Sequence, residues 1–139
     1  MKRIAFDLDE TLGIPIIDGV EIVGFRLRDG CKEVLEKLHE RYQLCLWTVS
    51  NRSYLDKALS FGLKDYFSET YAWDELPVVW KDVRKINADF LIDDSPHHRE
   101  EAAKFGIESR YIIIAAYGSE DDNNDSLLWV KQIENILNL

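Results

Sequence analysis

Four short apolar runs, Ile4 to Leu8, Leu44 to Val49, Phe90 to Ile92 and Tyr111 to Ala115, recur along this chain with segments of helical period between them. A weaker run lies at Glu69 to Trp73. Strands that are apolar on nearly every residue must be covered on both faces, which is the condition of a parallel sheet between two helical layers. The intervening segments supply that cover. Val34, Leu35, Leu38 and Tyr42 mark one amphipathic stripe, and Leu55, Ala58 and Leu59 mark a second. In "SPHHREEAAKFG", Ser95 is a predicted N-cap, Pro96 the first helical residue and Gly106 the stop. A last helix carries Val130, Ile133 and Leu137 on one face. The alternation predicts an α/β fold, a Rossmann-like doubly wound parallel sheet. With 139 residues, 46% of them hydrophobic, the chain has material for one well-packed domain, expected to span 1–139.

One segment breaks the rhythm. After Thr11, "LGIPIIDGVEIVGFRLRDG" holds two short apolar strands around Asp18 and Gly19, a strong turn pair, and predicts a β-hairpin flap at about 14–25. A hairpin inserted directly after the first strand hangs over that strand's carboxyl end, where open α/β sheets bind their ligands. "GSEDDNNDS", residues 118–126, reads as a solvated loop, since its spacing does not fit a calcium-binding EF-hand loop. Cys31 and Cys45 lack metal-ligand spacing and read as reduced packing residues. No apolar run approaches the roughly 20 residues that span a bilayer, and "MKRIAFDLD" has no signal-peptide layout. A cytoplasmic protein with no membrane partner is expected. The formal charge of −9 disfavours a nucleic-acid surface as the main partner.

The first run ends in "DLDET". Residues two apart on a strand point the same way, so Asp7 and Asp9 can face one site beyond the strand's edge. Two adjacent carboxylates repel, and they need either a shared proton or a cation. The plainer alternative is that they end a strand and cap a turn. The second long strand ends at Thr48, followed by Ser50 and Asn51, which offers a hydroxyl and a helix start suited to an anion or simply to capping. "FLIDDSP" delivers Asp93 and Asp94 to the same edge, either as caps of the next helix or as part of the acidic cluster. Four converging carboxylates call for a hard cation such as Mg²⁺. Lys81, in "VVWKDVRK", sits near a predicted helix start, where it neutralises a bound phosphate or is a solvated surface lysine.

Taken in order, "DLDET", Thr48, Lys81 and "LIDDSP" resemble the four motifs of the haloacid dehalogenase superfamily of aspartate-nucleophile phosphatases. "DLDETL", "LWTVSNRSYLDKAL", "WKDVRKI" and "LIDDSP" look especially like the phosphatases of the RNA polymerase carboxy-terminal domain, and are similar to the compact magnesium-dependent phosphatases. The resemblance implies that Asp7 is the nucleophile and becomes an aspartyl phosphate, and that Asp9 is the general acid and then the base. It implies that Thr48 and Lys81 bind the phosphoryl group, with Ser50 beside them. It further implies that Asp93 and Asp94 hold Mg²⁺ together with Asp7 and the backbone carbonyl of Asp9, without deciding which of Asp93 and Asp94 touches the ion. Members of the superfamily select substrates through cap domains. Only 36 residues separate Thr11 from Thr48, enough for the hairpin and one helix, so no large cap domain is expected.

Three readings of the function follow. The leading one is a Mg²⁺-dependent phosphomonoester hydrolase. The alternatives are a receiver-like phosphoaspartate signalling domain and a catalytically silent binding module, against which the intact motif set argues. An open site implies a bulky or macromolecular phosphorylated substrate, and the acidic charge favours a phosphoprotein over a nucleic-acid end. Sequence reasoning leaves the oligomeric state open. It assigns Trp47, Trp73 and Trp80 to core packing and places His97 and His98 on the surface.

Overall fold

The computed structural model describes all 139 residues. Five strands, β1 (Arg3–Phe6), β4 (Gln43–Trp47), β5 (Glu69–Tyr71), β6 (Phe90–Asp93) and β7 (Tyr111–Ile113), form one parallel sheet in the order β5-β4-β1-β6-β7. β2 (Gly13–Asp18) and β3 (Glu21–Leu27) form a separate antiparallel hairpin. The helices are α1 (Cys31–His39), α2 (Arg52–Leu59), α3 (His97–Ala103), α4 (Glu120–Asn124) and α5 (Leu128–Leu137). The doubly wound α/β expectation holds, and the hairpin is the sole insertion between β1 and α1, with no cap domain.

Strand alternation divides the core in two. Ile4, Phe6, Leu44, Leu46, Ile92 and Ile112 face a layer that also contains Leu35, Leu38, Leu55, Trp129 and Ile133 from α1, α2 and α5. Ala5, Cys45, Trp47, Leu91 and Tyr111 face the opposite layer, closed by Val83, Ile86, Ala88 and Ala102. Both cysteines are free and buried, as expected for packing residues. No helix is long and apolar enough to cross a membrane.

The sheet order reverses on either side of β1, which pairs with β4 and with β6 in parallel register. That reversal opens a crevice at the strands' carboxyl ends. Asp7 continues the ladder by donating its amide to Ile92 O at 3.0 Å, so its side chain is fixed at the crevice before the chain turns away. The turn needs Glu10 at φ 64, in the left-handed region, and brings Gly13 so near Arg26 that a Cβ would lie 2.1 Å from the Arg26 carbonyl oxygen. Only glycine fits there. The two-residue hairpin loop is Gly19 and Val20, with Gly19 at φ 64, one position later than the Asp18-Gly19 pair suggested. A register shift between Ile16 and Ile17 bends the hairpin, and β3 packs against α2.

Four expectations are corrected by packing. Residues 118–126 are not merely a solvated loop: Ser119 caps the short helix α4 by accepting from Asp122 N, and Asp122 is buried against Arg28. Pro96, not Ser95, occupies the position preceding α3, while Ser95 Oγ accepts from His97 N at 3.4 Å. Trp47 is buried in the core, and Trp80, half-buried and stacked on Phe105 at 5.8 Å, packs against it as expected, but Trp73 is 49% exposed. His97 is exposed as expected, whereas His98 is buried, because it precedes Ala102 by one helical turn on the inner face of α3.

Candidate active site

Carboxyl oxygens of Asp7, Asp93 and Asp94 lie within 4.8 Å of one another. β1 and its neighbour β6 end side by side, so the residues that follow each strand's last apolar position converge without any special loop. Lys81 Nζ donates to Asp7 Oδ1 at 2.8 Å and to Asp93 Oδ2 at 3.1 Å. Thr11 Oγ1 lies 3.0 Å from both Asp7 Oδ2 and Asp94 Oδ1. Asp93 Oδ1 accepts from Ser95 N at 2.9 Å, which turns the chain into α3.

Lys81 is buried, which rules out the solvated-surface alternative. It stands in an irregular stretch ahead of a 3-10 turn at Val83–Ile86, and only 1% of its side chain is exposed. Burial alone would drive its ammonium toward the neutral amine, but Asp7 and Asp93 outweigh burial and raise its pKa. Burial pushes the Asp94 carboxyl up to about 7, with Asp7 and Asp93 adding repulsion. Burial also raises Asp93, against the opposing pull of Lys81.

This donor set suits a divalent cation. With all three carboxylates ionised, one ammonium leaves two negative charges, and the single hydroxyl proton of Thr11 cannot serve Asp7 and Asp94 at once. A hard cation among Asp7, Asp93 and Asp94 removes both deficits, and all the ligand atoms are oxygens, as Mg²⁺ prefers.

Asp9 stands apart from that cluster. Its Oδ1 accepts from Tyr54 Oη, and burial raises its pKa, reinforced by the charge of Asp7. Asn51 begins α2 by accepting from Tyr54 N at 2.8 Å, which sets the helix phase that brings the phenol to Asp9. Tyr54 also lines a groove of about 460 Å³ with Val20, Ile22, Asn51, Ser53 and Lys57, between the hairpin and α2.

Thr48 follows β4 and is buried, and its Oγ1 accepts from Ser50 N at 3.1 Å, so both stand at the crevice without bonding to the acidic cluster. Nothing in the sequence marks Tyr54 or His98 as site residues, and Thr11 is marked only as part of "DLDET". Thr11 carried a local signal, four residues after Asp7 in a turn; the Tyr54–Asp9 pair, 45 residues apart, carried none.

The family described as NLI interacting factor-like phosphatase matches residues 2–138. A Thermotoga maritima structure described as a beta-phosphoglucomutase is similar with a TM-score of 0.66 and 16% identity, over 99% of this chain and 97% of the other. A structure of an uncharacterized protein from Listeria monocytogenes serotype 4b is similar with a TM-score of 0.53 and 21% identity, over 69% of this chain and 68% of the other. At these identities the two structures establish the shared fold. No curated protein matches the chain at comparable significance.

Proposed function

The chain belongs to the NLI interacting factor-like phosphatase family of the haloacid dehalogenase superfamily, and from that premise we propose that it hydrolyses phosphomonoesters through an aspartyl-phosphate intermediate on Asp7, with Mg²⁺ as cofactor. The observation that carries this reading is the convergence of Asp7, Asp93, Asp94 and Lys81 at one sheet edge, with a second, separately held carboxyl, Asp9, beside them. Family membership argues against the receiver-like alternative, and the intact set of Asp7, Asp9, Lys81, Asp93 and Asp94 argues against the silent one.

Asp7 attacks phosphorus with a carboxylate oxygen as the bond to the leaving oxygen breaks. Lys81 orients the Asp7 carboxylate and offsets negative charge on the transferring group. Thr48 and Ser50 hold phosphoryl oxygens at the end of β4. Asp9 gives its proton to the leaving oxygen, then takes one from the water that cleaves the phosphorus–Asp7 bond, which regenerates both carboxyl groups. Tyr54 orients Asp9 for both transfers. Asp7, Asp93, Asp94 and the Asp9 backbone carbonyl would hold Mg²⁺, which supplies charge neutralisation at the phosphoryl oxygens when bound.

Two predictions arise from these roles. Asp9→Asn is expected to slow an alkyl phosphate by about a hundredfold, and para-nitrophenyl phosphate far less, since nitrophenolate leaves without a proton. Equal losses in kcat/KM on the two esters would remove Asp9 from the acid role. Mg²⁺ is expected to stabilise the fold by about 2.7 kcal/mol at a hundred times its Kd, a midpoint shift of roughly 10 °C in a domain of this size. Thermal melts with Mg²⁺ and with chelator measure it, and coincident melts would contradict the metal assignment.

With no cap to enclose a small metabolite, substrate affinity comes from surface beyond the phosphate. The groove between hairpin and α2 touches the site through Tyr54 and mixes apolar side chains with the opposite charges of Lys57 and Glu21, which suits a bulky or macromolecular substrate such as a phosphoprotein. Measuring kcat/KM with Mg²⁺ across phosphopeptides, phosphosugars, nucleotides and phosphorylated nucleic-acid ends tests this. Phosphopeptides are expected to lead; a phosphosugar preferred by orders of magnitude would reject the open-site argument, and no turnover of any ester would reject the phosphatase.

A further inference from the structure

Lys81 must reach Asp7 and Asp93 from a stretch of chain that belongs to no helix or strand, so no backbone ladder sets its position. Side chains do so instead. Lys81 N donates to His98 Nδ1 at 2.9 Å, and Tyr111 Oη donates to Lys81 O at 2.7 Å. The same phenol oxygen accepts from Val83 N at 3.0 Å. Both polar groups of Lys81's backbone are thus satisfied inside the protein by side chains from two other elements, α3 and β7.

We propose that His98 and Tyr111 are positioning residues for phosphoryl transfer, clamping the backbone of Lys81 so that its ammonium stays between Asp7 and Asp93. The inference rests on the phosphatase reading above. Because the Lys81 amide can only donate, His98 Nδ1 must carry the lone pair, and the ring proton sits on Nε2, 3.7 Å from Asp93 Oδ2. The imidazole is therefore a neutral acceptor here, with no part in moving the substrate's protons. Packing reinforces the clamp: Trp80, adjacent to Lys81, stacks on Phe105 and lies 6.4 Å from the Tyr111 ring. A lysine side chain has four rotatable bonds and loses much freedom when held, so a fixed backbone origin keeps its tip in register with the nucleophile.

Tyr111→Phe deletes the hydroxyl with the ring retained. His98→Leu deletes the acceptor at similar volume, and His98→Asn offers an amide oxygen close to where Nδ1 stood. On para-nitrophenyl phosphate with Mg²⁺, Tyr111→Phe and His98→Leu are each expected to lower kcat about tenfold with KM little changed, and His98→Asn to recover most of that loss. In the wild type without substrate, a through-hydrogen-bond ¹⁵N–¹⁵N coupling should join the Lys81 amide to His98 Nδ1. Loss of that coupling would overturn the clamp on its own. Variants that keep the wild-type kcat, or His98→Leu and His98→Asn falling together in step with their thermal midpoints, would overturn the positioning role. An inactive wild type would sink the phosphatase reading instead, whatever the coupling shows.

Discussion

An Asp7→Asn variant is expected to lose turnover by on the order of 10⁴-fold or more while folding at least as stably as the wild type. An amide oxygen does not attack phosphorus, and no neighbouring group replaces it: Asp93 is engaged with Lys81 and Ser95 N, Asp94 with Thr11, and Asp9 with Tyr54. The fold survives for an electrostatic reason. Removing one charge from three crowded carboxylates relieves repulsion, and Lys81 keeps Asp93 as its partner at 3.1 Å. Acid-quenched wild type with a radiolabelled ester should carry a hydroxylamine-labile phosphoryl label, and the variant none. A variant that retains both label and turnover would move the nucleophile elsewhere; one that loses both only because it is unfolded would show up in its thermal melt.

The convergence at the sheet edge was legible because it follows from local pattern. Apolar runs ending in Asp7, Thr48 and Asp93 need only be parallel neighbours for those residues to meet, and parallel pairing was itself implied by their apolar continuity. What stayed hidden depends on contacts between distant segments. Lys81 was legible near a helix start, but nothing in "VVWKDVRK" marks a chain held by His98 and Tyr111. His98 was misplaced for its polarity, although its spacing from the buried Ala102 put it on the inner face of α3. Asp122, in a run of acidic residues, gave no hint that Arg28, 94 residues earlier, was waiting for it.

That pair underlies the largest stability effect expected. Arg28 is buried, with Nη2 2.7 Å from Asp122 Oδ1 and the guanidinium 4.6 Å from the Trp129 ring centroid. Its Nη1 donates to Ala115 O at 2.8 Å and Thr11 O at 3.2 Å, so the cation ties the turn after the nucleophile to the chain leaving β7. Asp122→Ala would strand that cation without a counter-charge, and also free Gly118 N, which donates to Asp122 Oδ2 at 2.9 Å. The expected cost is about 3–5 kcal/mol, a large share of the roughly 5–15 kcal/mol that holds a domain together. Asp122→Asn keeps one acceptor oxygen for Arg28 but turns its NH2 toward Gly118 N, and should cost less than alanine. Replacing both partners with apolar residues, Arg28→Met with Asp122→Leu, should recover much of the loss in stability, since much of the cost comes from stranding one charge. It should not recover full turnover, because the Thr11 carbonyl would lose its donor, and with it the restraint on the hydroxyl between Asp7 and Asp94. Denaturant unfolding of the three proteins measures the stability ranking. An Asp122→Ala protein as stable as the wild type would mean the buried pair bears none of this load, and a double variant with full stability and full activity would mean it has no hold on the site.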